Sequence, residues 1–314
     1  MSDLEQAALA RLRNPDPAER QLALMALEDL ASVDAVDALI AAARDADPTV
    51  RRLAVGLLED LGDGRAAPAL IAALEDEAED VRAAAGAALR ELRDGAAATA
   101  LVDALAHPAP EVRRAVIVAL REHRDDRSLA PLTRALEDGD ASVRREAVVT
   151  LAYLRSADTI PALRARLRDA DAEVRRLALG TLAFFNGPAL LPDFLAATAD
   201  GDWRVRAEAA IVLGRSALTQ AVPALLAALD DPYWQVRKEA AVALGRLRAA
   251  AAGPALMALL ASDVSDLRRA AAASLAEAGV REALPELRRL AQDPDVEVRK
   301  TAARAVALLD GLPQ

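Results

Sequence analysis

The chain has 314 residues, of which 54% are hydrophobic, 28% are charged and only 2% are aromatic. It contains no cysteine, which excludes disulfides, thiolate metal sites and a cysteine nucleophile. The formal net charge of −10 makes duplex nucleic acid a poor partner for the protein as a whole, because phosphate contacts need clustered cations.

The first twenty residues lack a basic start followed by an apolar run, so we expect no signal peptide. No stretch of about 18 apolar residues without charge occurs, which predicts that no helix spans a membrane. From these two features we expect a cytoplasmic protein.

A Val-Arg dipeptide recurs every 31 residues. Its arginines are Arg51, Arg82, Arg113, Arg144, Arg175, Arg206, Arg237 and Arg299, while Leu267-Arg268 fills the one gap and Glu19-Arg20 marks a divergent first repeat. A period that never slips predicts stacked units, none of which can bury its apolar face alone. We therefore expect residues 1–314 to form a single array of about ten repeats.

Each repeat contains two helical patterns separated by turn residues. In the fifth repeat, Leu132 and Leu136 form a short apolar stripe, and Val143, Ala147 and Leu151 then recur along one face of a second helix. Prolines keep the same spacing at the expected start of the first helix, at Pro161, Pro192, Pro223, Pro254 and Pro285. The predicted fold class is an all-α, right-handed α-solenoid of helix–turn–helix repeats.

A second register lies five residues before each valine and holds a short hydrogen-bond acceptor. Seven of its ten members are aspartates, namely Asp45, Asp76, Asp138, Asp169, Asp200, Asp231 and Asp293, and the others are Asn14, His107 and Ser262. A carboxylate in the turn before a helix can cap the helix N-terminus. The arginine of the same or the adjoining repeat can also bridge to it. We therefore predict a structural Asp–Arg ladder, rather than a substrate site, with His107 as a hydrogen-bonding variant of the aspartate.

The repeat resembles the short HEAT-like repeat of the phycobilisome-lyase type. Residues 231–245, DPYWQVRKEAAVALG, carry the pattern, which covers almost the whole chain. In that family the Val-Arg helix lines a concave inner face, and the binding positions flank the valine and continue down the helix. The resemblance therefore implies a binding face on these helices.

All seven aromatic residues lie between residues 153 and 234. Tyr153 and Phe184 both lie ten residues after their valine, and Trp203 and Trp234 both lie two residues before theirs. Both registers match binding positions that the resemblance implies, which favours an exposed binding surface. The alternative is that the rings fill a loosely packed stretch of core.

Charge is uneven at the same inner-face positions. The second to fourth repeats carry mainly acids, namely Asp60, Glu79, Asp80, Glu91, Glu111 and Glu122, against Arg52 and Arg114. The seventh and eighth repeats carry mainly bases, namely Arg204, Arg215, Lys238 and Arg246, against Glu208 and Glu239. We predict a groove that runs from acidic to mildly basic, which would orient a partner.

These features predict a non-catalytic scaffold that binds another protein or a peptide in a concave groove, without cofactor or metal. The predicted contact residues are Tyr153, Phe184, Trp203, Arg204, Arg215, Trp234, Lys238 and Arg246. The sequence has no glycine-rich phosphate loop, nucleophile elbow or cluster of metal ligands.

Other HEAT-like proteins suggest two alternatives, and the residue counts exclude a third. A bilin lyase or chaperone-like subunit could use the aromatic and arginine residues to hold a tetrapyrrole. HEAT-like alkylpurine DNA glycosylases place aromatics and an acid in a basic groove, which Trp203, Trp234, Asp202 and Asp231 superficially match, although the net charge opposes DNA binding. The di-iron deoxyhypusine hydroxylases use several His-Glu dipeptides, which this chain lacks.

Overall fold

The computed structural model describes residues 3–30, 33–92, 94–123, 126–185 and 187–311. Within these ranges the secondary structure is entirely helical. The chain divides into two compact units, Met1–Thr159 and Ile160–Gln314, and ten α-helices are described in each.

The α-helices of the first unit are α1 (Asp3–Arg11), α2 (Pro17–Leu30), α3 (Val36–Ala42), α4 (Pro48–Leu61), α5 (Ala67–Ala73), α6 (Glu79–Glu91), α7 (Gly95–Ala104), α8 (Pro110–His123), α9 (Leu129–Ala135) and α10 (Ala141–Leu154). Those of the second unit are α11 (Ile160–Arg166), α12 (Ala172–Leu182), α13 (Leu191–Ala197), α14 (Trp203–Arg215), α15 (Val222–Ala228), α16 (Trp234–Arg246), α17 (Gly253–Leu259), α18 (Ser265–Glu277), α19 (Leu284–Arg289) and α20 (Val296–Asp310). Short 3-10 helices lie at Val33–Ala35, Gly64–Ala66, Asp126–Ser128, Ala157–Thr159, Ala183–Phe185, Pro188–Leu190, Thr219–Ala221, Ala250–Ala252, Arg281–Ala283 and Leu290–Gln292.

Each unit is a stack of five helical hairpins. Every odd-numbered helix packs against the even-numbered helix that follows it. The even-numbered helices, which carry the Val-Arg dipeptides, also pack against one another from hairpin to hairpin within a unit. The repeat valines and the leucines eight residues later are buried between the layers; Val143 and Leu151 are one such pair. The predicted all-α fold of helix–turn–helix repeats is confirmed.

Local signals set the helix bounds. Helix α4 begins at Pro48, and the preceding Asp47 caps it by accepting a hydrogen bond from the Val50 N–H. The helix ends at Leu61, where Gly62 takes the left-handed conformation with φ of 61°. Aspartates at the corresponding position cap four other even-numbered helices, namely Asp140, Asp171, Asp202 and Asp295.

The prediction that the ladder aspartates themselves cap these helices is wrong. They lie two residues before the cap, and each accepts a hydrogen bond from the backbone N–H of the capping residue. The Asp47 N–H donates to Asp45 Oδ1 at 2.9 Å, and the equivalent bond from the residue two positions on occurs in all ten repeats. The ladder residue therefore shapes the turn that presents the cap.

The repeat arginine links one hairpin to the next. Nη1 of Arg51 donates to the carbonyl oxygens of Asp45 and Ala46 in its own turn, at 2.8 and 3.1 Å. Nε and Nη2 donate to the two carboxylate oxygens of Asp76 in the following repeat, at 2.7 and 2.8 Å. The same two-point pair joins Arg20 to Asp45, Arg113 to Asp138, Arg175 to Asp200, Arg206 to Asp231 and Arg268 to Asp293.

The remaining arginines of the register keep the bonds to their own turn. Nη1 of Arg82, Arg144, Arg237 and Arg299 donates to the carbonyl oxygens five and six residues earlier. Arg144 lies in the first unit and Asp169 in the second, where Asp169 accepts from the Asp171 N–H. Arg82 and Arg237 precede the two repeats in which His107 and Ser262 replace the aspartate.

Small residues let the even-numbered helices of the second unit approach closely. A Cβ placed on Gly214 would lie 2.7 Å from the Cα of Ala243, and one on Gly245 would lie 2.8 Å from the Cα of Ser274. Because these neighbours are backbone atoms, they cannot move aside without shifting a helix. Helices α14, α16 and α18 therefore depend on glycine where they meet.

The ladder yields a pH-dependent prediction. The hydrogen bonds from Arg51 hold the pKa of Asp76 below its ordinary value. A lowered folded-state pKa means that the carboxylate stabilises the fold above the ordinary carboxyl pKa, and that this contribution is lost as the pH falls through the folded-state pKa. We expect Asp76→Asn to lower the free energy of unfolding by about 2 kcal/mol at pH 7, because the pair is largely buried.

The difference in the free energy of unfolding between wild type and Asp76→Asn, measured by urea unfolding, should become smaller below about pH 4. The control is Asp310→Asn, because the Arg288–Asp310 pair is about half exposed, and its loss should change stability by less than about 0.5 kcal/mol. A difference for Asp76→Asn that stays constant down to pH 3 would contradict the role of its charge.

The glycine contacts yield a second prediction. We expect Gly214→Ala to destabilise the protein by about 1–3 kcal/mol, because the new methyl group would overlap the backbone of the next helix. Gly56→Ala in α4 is the control: its Cβ would meet nothing within 4 Å, and alanine favours a helix by about 1 kcal/mol over glycine. Thermal melts should shift in opposite directions, and equal shifts would show that close approach at Gly214 does not limit packing.

Candidate functional site

One register of the even-numbered hairpin arms is exposed in every repeat. It lies ten residues after the valine position and comprises Asp29, Asp60, Glu91, Glu122, Tyr153, Phe184, Arg215, Arg246, Glu277 and Leu308. We call these ten residues the exposed register. Its side chains change from acidic to aromatic, then basic, acidic and apolar along the sequence. The core places no demand on this position, so its residues are free to vary with a surface role.

Two predicted contact rings belong to the exposed register. Tyr153 on α10 in the first unit and Phe184 after α12 in the second are each 57% exposed. The Arg121 guanidinium lies 5.3 Å from the centroid of the Tyr153 ring, and its Nη1 donates to Glu146 at 3.1 Å. Tyr153 therefore lies against a cation that is itself held by an acid, while much of its ring remains open to water.

The two tryptophans are the first residues of α14 and α16 and are half-buried. The Trp203 ring stacks on Tyr233 of the next repeat, with centroids 5.7 Å apart and planes inclined by 14°. The Arg206 guanidinium lies 5.6 Å from the Tyr233 centroid, and Tyr233 is 46% exposed. Tyr233 is thus the more open ring of this pair, and sequence reasoning missed it because the stacking joins two repeats.

The predicted basic residues differ in how they are held. Arg204 is exposed and pairs with Asp202 at 2.7 Å, and Lys238 pairs with Glu239 at 3.0 Å. Arg215 and Arg246 belong to the exposed register, and neither forms an ion pair within the described part of the chain. These two arginines are the cations of the set that are best placed to meet a partner.

The two aspartates considered for glycosylase chemistry have structural partners. Asp202 caps α14, and its hydrogen bond from Arg204 lowers the pKa of this carboxyl to about 2. Asp231 receives both donors of Arg206 and the N–H of Tyr233. Both carboxylates are therefore engaged in the turns that position the helices.

Among the described residues, three open clefts of about 410 Å³ or more each lie within one unit. The α16–α20 cleft has a volume of about 450 Å³, with Val242, Ala273 and Leu308 among its apolar residues and Lys238 and Arg304 among its charged ones. Leu308 is 58% exposed there. The sequence did not predict this cleft, because alanine occurs at most registers and resembles an ordinary small core residue. The available signal was Leu308, a leucine in the exposed register.

The other two clefts are more polar. The α6–α8 cleft of the first unit has a volume of about 420 Å³ and includes Arg82 and Arg114. The α11–α13 cleft of the second unit has a volume of about 410 Å³ and includes Arg168 and Arg175. In the latter cleft, Arg175 is already paired with Asp200.

Charge is divided unequally between the two units. Residues 1–159 carry 19 Lys and Arg against 30 Asp and Glu, a net charge of −11. Residues 160–314 carry 20 Lys and Arg against 19 Asp and Glu, a net charge of +1. The acidity of the chain thus lies in the first unit, while the predicted basic contact residues lie in the second.

No group of three or more His, Asp or Glu side chains within the described ranges could hold a metal ion. None of the described helices has the length and apolar character needed to cross a membrane.

Comparison with solved structures gives further evidence on the fold. An engineered protein aligns over 100% of both chains with 22% identity and a TM-score of 0.52. Kap95p in complex with RanGDP aligns over 97% of this chain and 49% of its own, with 15% identity and a TM-score of 0.68. Importin beta aligns over 97% of this chain and 50% of its own, with 15% identity and a TM-score of 0.65. The chain spans about half the length of the latter two proteins.

Sequence comparison identifies the family. No curated protein matches the sequence. The model of HEAT repeats matches in five overlapping segments, residues 5–90, 67–149, 129–199, 191–276 and 265–314. Since these segments cover nearly all of the stacked hairpins described above, the chain belongs to the HEAT-repeat family.

Proposed function

We propose that the chain is a protein-binding scaffold that holds a segment of a partner on its even-numbered helices. The exposed register carries this proposal. It is open to water in all ten repeats, and it presents Tyr153, Phe184 and Leu308, each more than half exposed, as apolar side chains available for contact.

Helix packing supports a concave binding face within each unit. The even-numbered helices make extensive contacts with one another, whereas the odd-numbered helices of the same unit make fewer. A stack in which one layer packs more tightly bends toward that layer, because each repeat is rotated slightly relative to the last. The even-numbered helices would then line the inner surface that solenoids use for binding.

The chemistry of this face suits a protein partner. Tyrosine, tryptophan and arginine are the residues that most often dominate binding energy at protein interfaces. The proposed contact residues are Tyr153, Phe184, Trp203, Arg204, Arg215, Trp234, Lys238 and Arg246, and we add Tyr233 and Leu308 because they are exposed. Their mixture of rings and cations would combine apolar contact with orientation by charge.

Similar structures add support from the same fold. They include Kap95p with RanGDP, Kap95 with Nup1, and Kap121p bound to Pho4p. Each is a complex with another protein. The phycobilisome-lyase subtype and its tetrapyrrole ligand stay predictions, which a shift of the visible bilin band on mixing would test.

Cross-linking tests the proposed face. A photo-reactive phenylalanine analogue placed at Phe184, Arg246 or Leu308 should cross-link to the same protein in a cell lysate, because these positions lie in the exposed register. Leu4 on α1 provides the control, since it is 72% exposed but lies on an odd-numbered helix. Equal cross-linking from Leu4, or cross-links to nucleic acid alone, would overturn the proposal.

Ring truncation gives an independent measure on the captured partner. We expect Phe184→Ala combined with Tyr233→Ala to weaken its binding at least tenfold, because a good aromatic anchor is worth about 2 kcal/mol or more. The melting temperature should change little, since both rings are about half exposed. Unchanged affinity would remove these rings from the contact surface.

A further inference from the structure

The ladder has an arginine whose usual carboxylate is missing. Within the described parts of the two units, six ladder arginines donate from Nε and Nη2 to an aspartate of the following repeat, as Arg51 does to Asp76. The repeat after Arg82 has His107 at that position. The His107 Nδ1 accepts from the Ala109 N–H at 3.2 Å, and its Nε2 lies 3.5 Å from a carboxylate oxygen of Glu75. The imidazole therefore reproduces the turn of the aspartate but supplies no oxygen to Arg82.

The Arg82 guanidinium is nevertheless held in the manner of its counterparts. Its Nη1 donates to the carbonyl oxygens of Asp76 and Glu77 at 2.7 and 2.9 Å. Its Nε and Nη2 have no acceptor among the residues that the structure describes. These two donors form the planar fork that binds a carboxylate at two points elsewhere in the ladder.

Arg82 also lines the α6–α8 cleft, which opens because a side chain is missing from the seam. The register of Gly86 holds Val55, Ile117 and Val148 in other repeats of this unit, and all three are buried. A Cβ on Gly86 would meet only the Leu74 side chain, at 3.9 Å. In keeping with this gap, α6 and α8 are in less extensive contact than α4 and α6 or α8 and α10.

The charges of the cleft favour a single negative charge. Its charged residues are the cations Arg82, Arg90 and Arg114 and the anions Glu79 and Glu111. Three guanidinium groups against two carboxylates leave one positive charge. A carboxylate matches that excess, whereas a phosphate dianion would exceed it and would also meet the repulsion of both glutamates.

We propose that the α6–α8 cleft is a carboxylate-binding site in which Arg82 grips an Asp or Glu side chain of the bound partner. The partner's carboxylate takes the place of the ladder aspartate that is missing at His107, and Arg90 and Arg114, which also line the cleft, add attraction. The protein origin of this carboxylate rests on the function proposed above. The site itself rests on the free fork, the cleft and the charge balance.

Two other ladder arginines serve as matched controls. Arg237 precedes Ser262 and so lacks an aspartate, but it lines none of the three clefts. Arg175 lines the α11–α13 cleft, but its fork is occupied by Asp200. Only Arg82 among these three combines an open fork with a cleft.

Binding is tested by NMR of the arginine Nε–Hε groups in the full chain, with N-acetyl-aspartate amide as the probe and N-acetyl-asparagine amide as the neutral control. The Arg82 signal, assigned by its loss in Arg82→Lys, should shift and saturate with the aspartate probe alone. The Arg175 signal should stay in place, and that of Arg237 should not saturate. Equal saturation at Arg237, no shift at Arg82, or tighter binding of inorganic phosphate would overturn the proposal.

A substitution that restores the ladder separates this site from the scaffold function. His107→Asp should raise the melting temperature and abolish probe binding, because the new carboxylate occupies the Arg82 fork. Ser262→Asp should also raise the melting temperature but leave probe binding intact. Probe binding that survives His107→Asp would sink the site. If His107→Asp still captures the partner fully, the partner is not the source of the carboxylate. If, in addition, the double variant Phe184→Ala, Tyr233→Ala loses capture, the scaffold function stands and the cleft has no role in it.

Discussion

The structure depends on the guanidinium group of the repeat arginine, which forms hydrogen bonds along two of its edges. In Arg51, one edge of the guanidinium is fixed to the carbonyl oxygens of its own turn, and the other edge is fixed to Asp76 of the next repeat. Because the group is rigid and flat, these bonds fix the orientation of each turn relative to the turn of the next repeat. A lysine would offer a flexible point charge and no such fork, so arginine is required at this register. The aspartate that receives it also accepts a backbone N–H and thereby shapes the turn before the next helix.

The residues that hold the stacked hairpins together are distinct from those that lie on the exposed surface. The valine and the leucine eight positions later are buried in almost every repeat, and the small residues near Gly214 and Gly245 let neighbouring helices meet. The exposed register faces none of these demands. Its change from acids through rings to arginines is therefore a property of the surface, and it coincides with the fall in acidity from the first unit to the second.

Departures from the repeat pattern show where the stack is used differently. At Arg82 the missing aspartate and the missing side chain of Gly86 fall on the same seam, and a cleft opens there. At Arg237 the missing aspartate has no such companion, and α16 and α18 stay closely packed through Gly245 and Ser274. The same substitution in the ladder therefore has different consequences, because the seam beside it is filled in one case and open in the other.

The sequence by itself determined the period, the two helices of each repeat and the pairing of arginine with aspartate, because these depend on short-range spacing that recurs ten times. Which repeat supplies the aspartate, and that Asp47 rather than Asp45 caps α4, were decided only by the three-dimensional stack. The repeat pattern likewise did not predict the stacking of Trp203 on Tyr233 or the clefts of the two units. Contacts between repeats depend on how closely neighbouring helices approach, and that distance is set jointly by small residues on two helices rather than by any spacing along one.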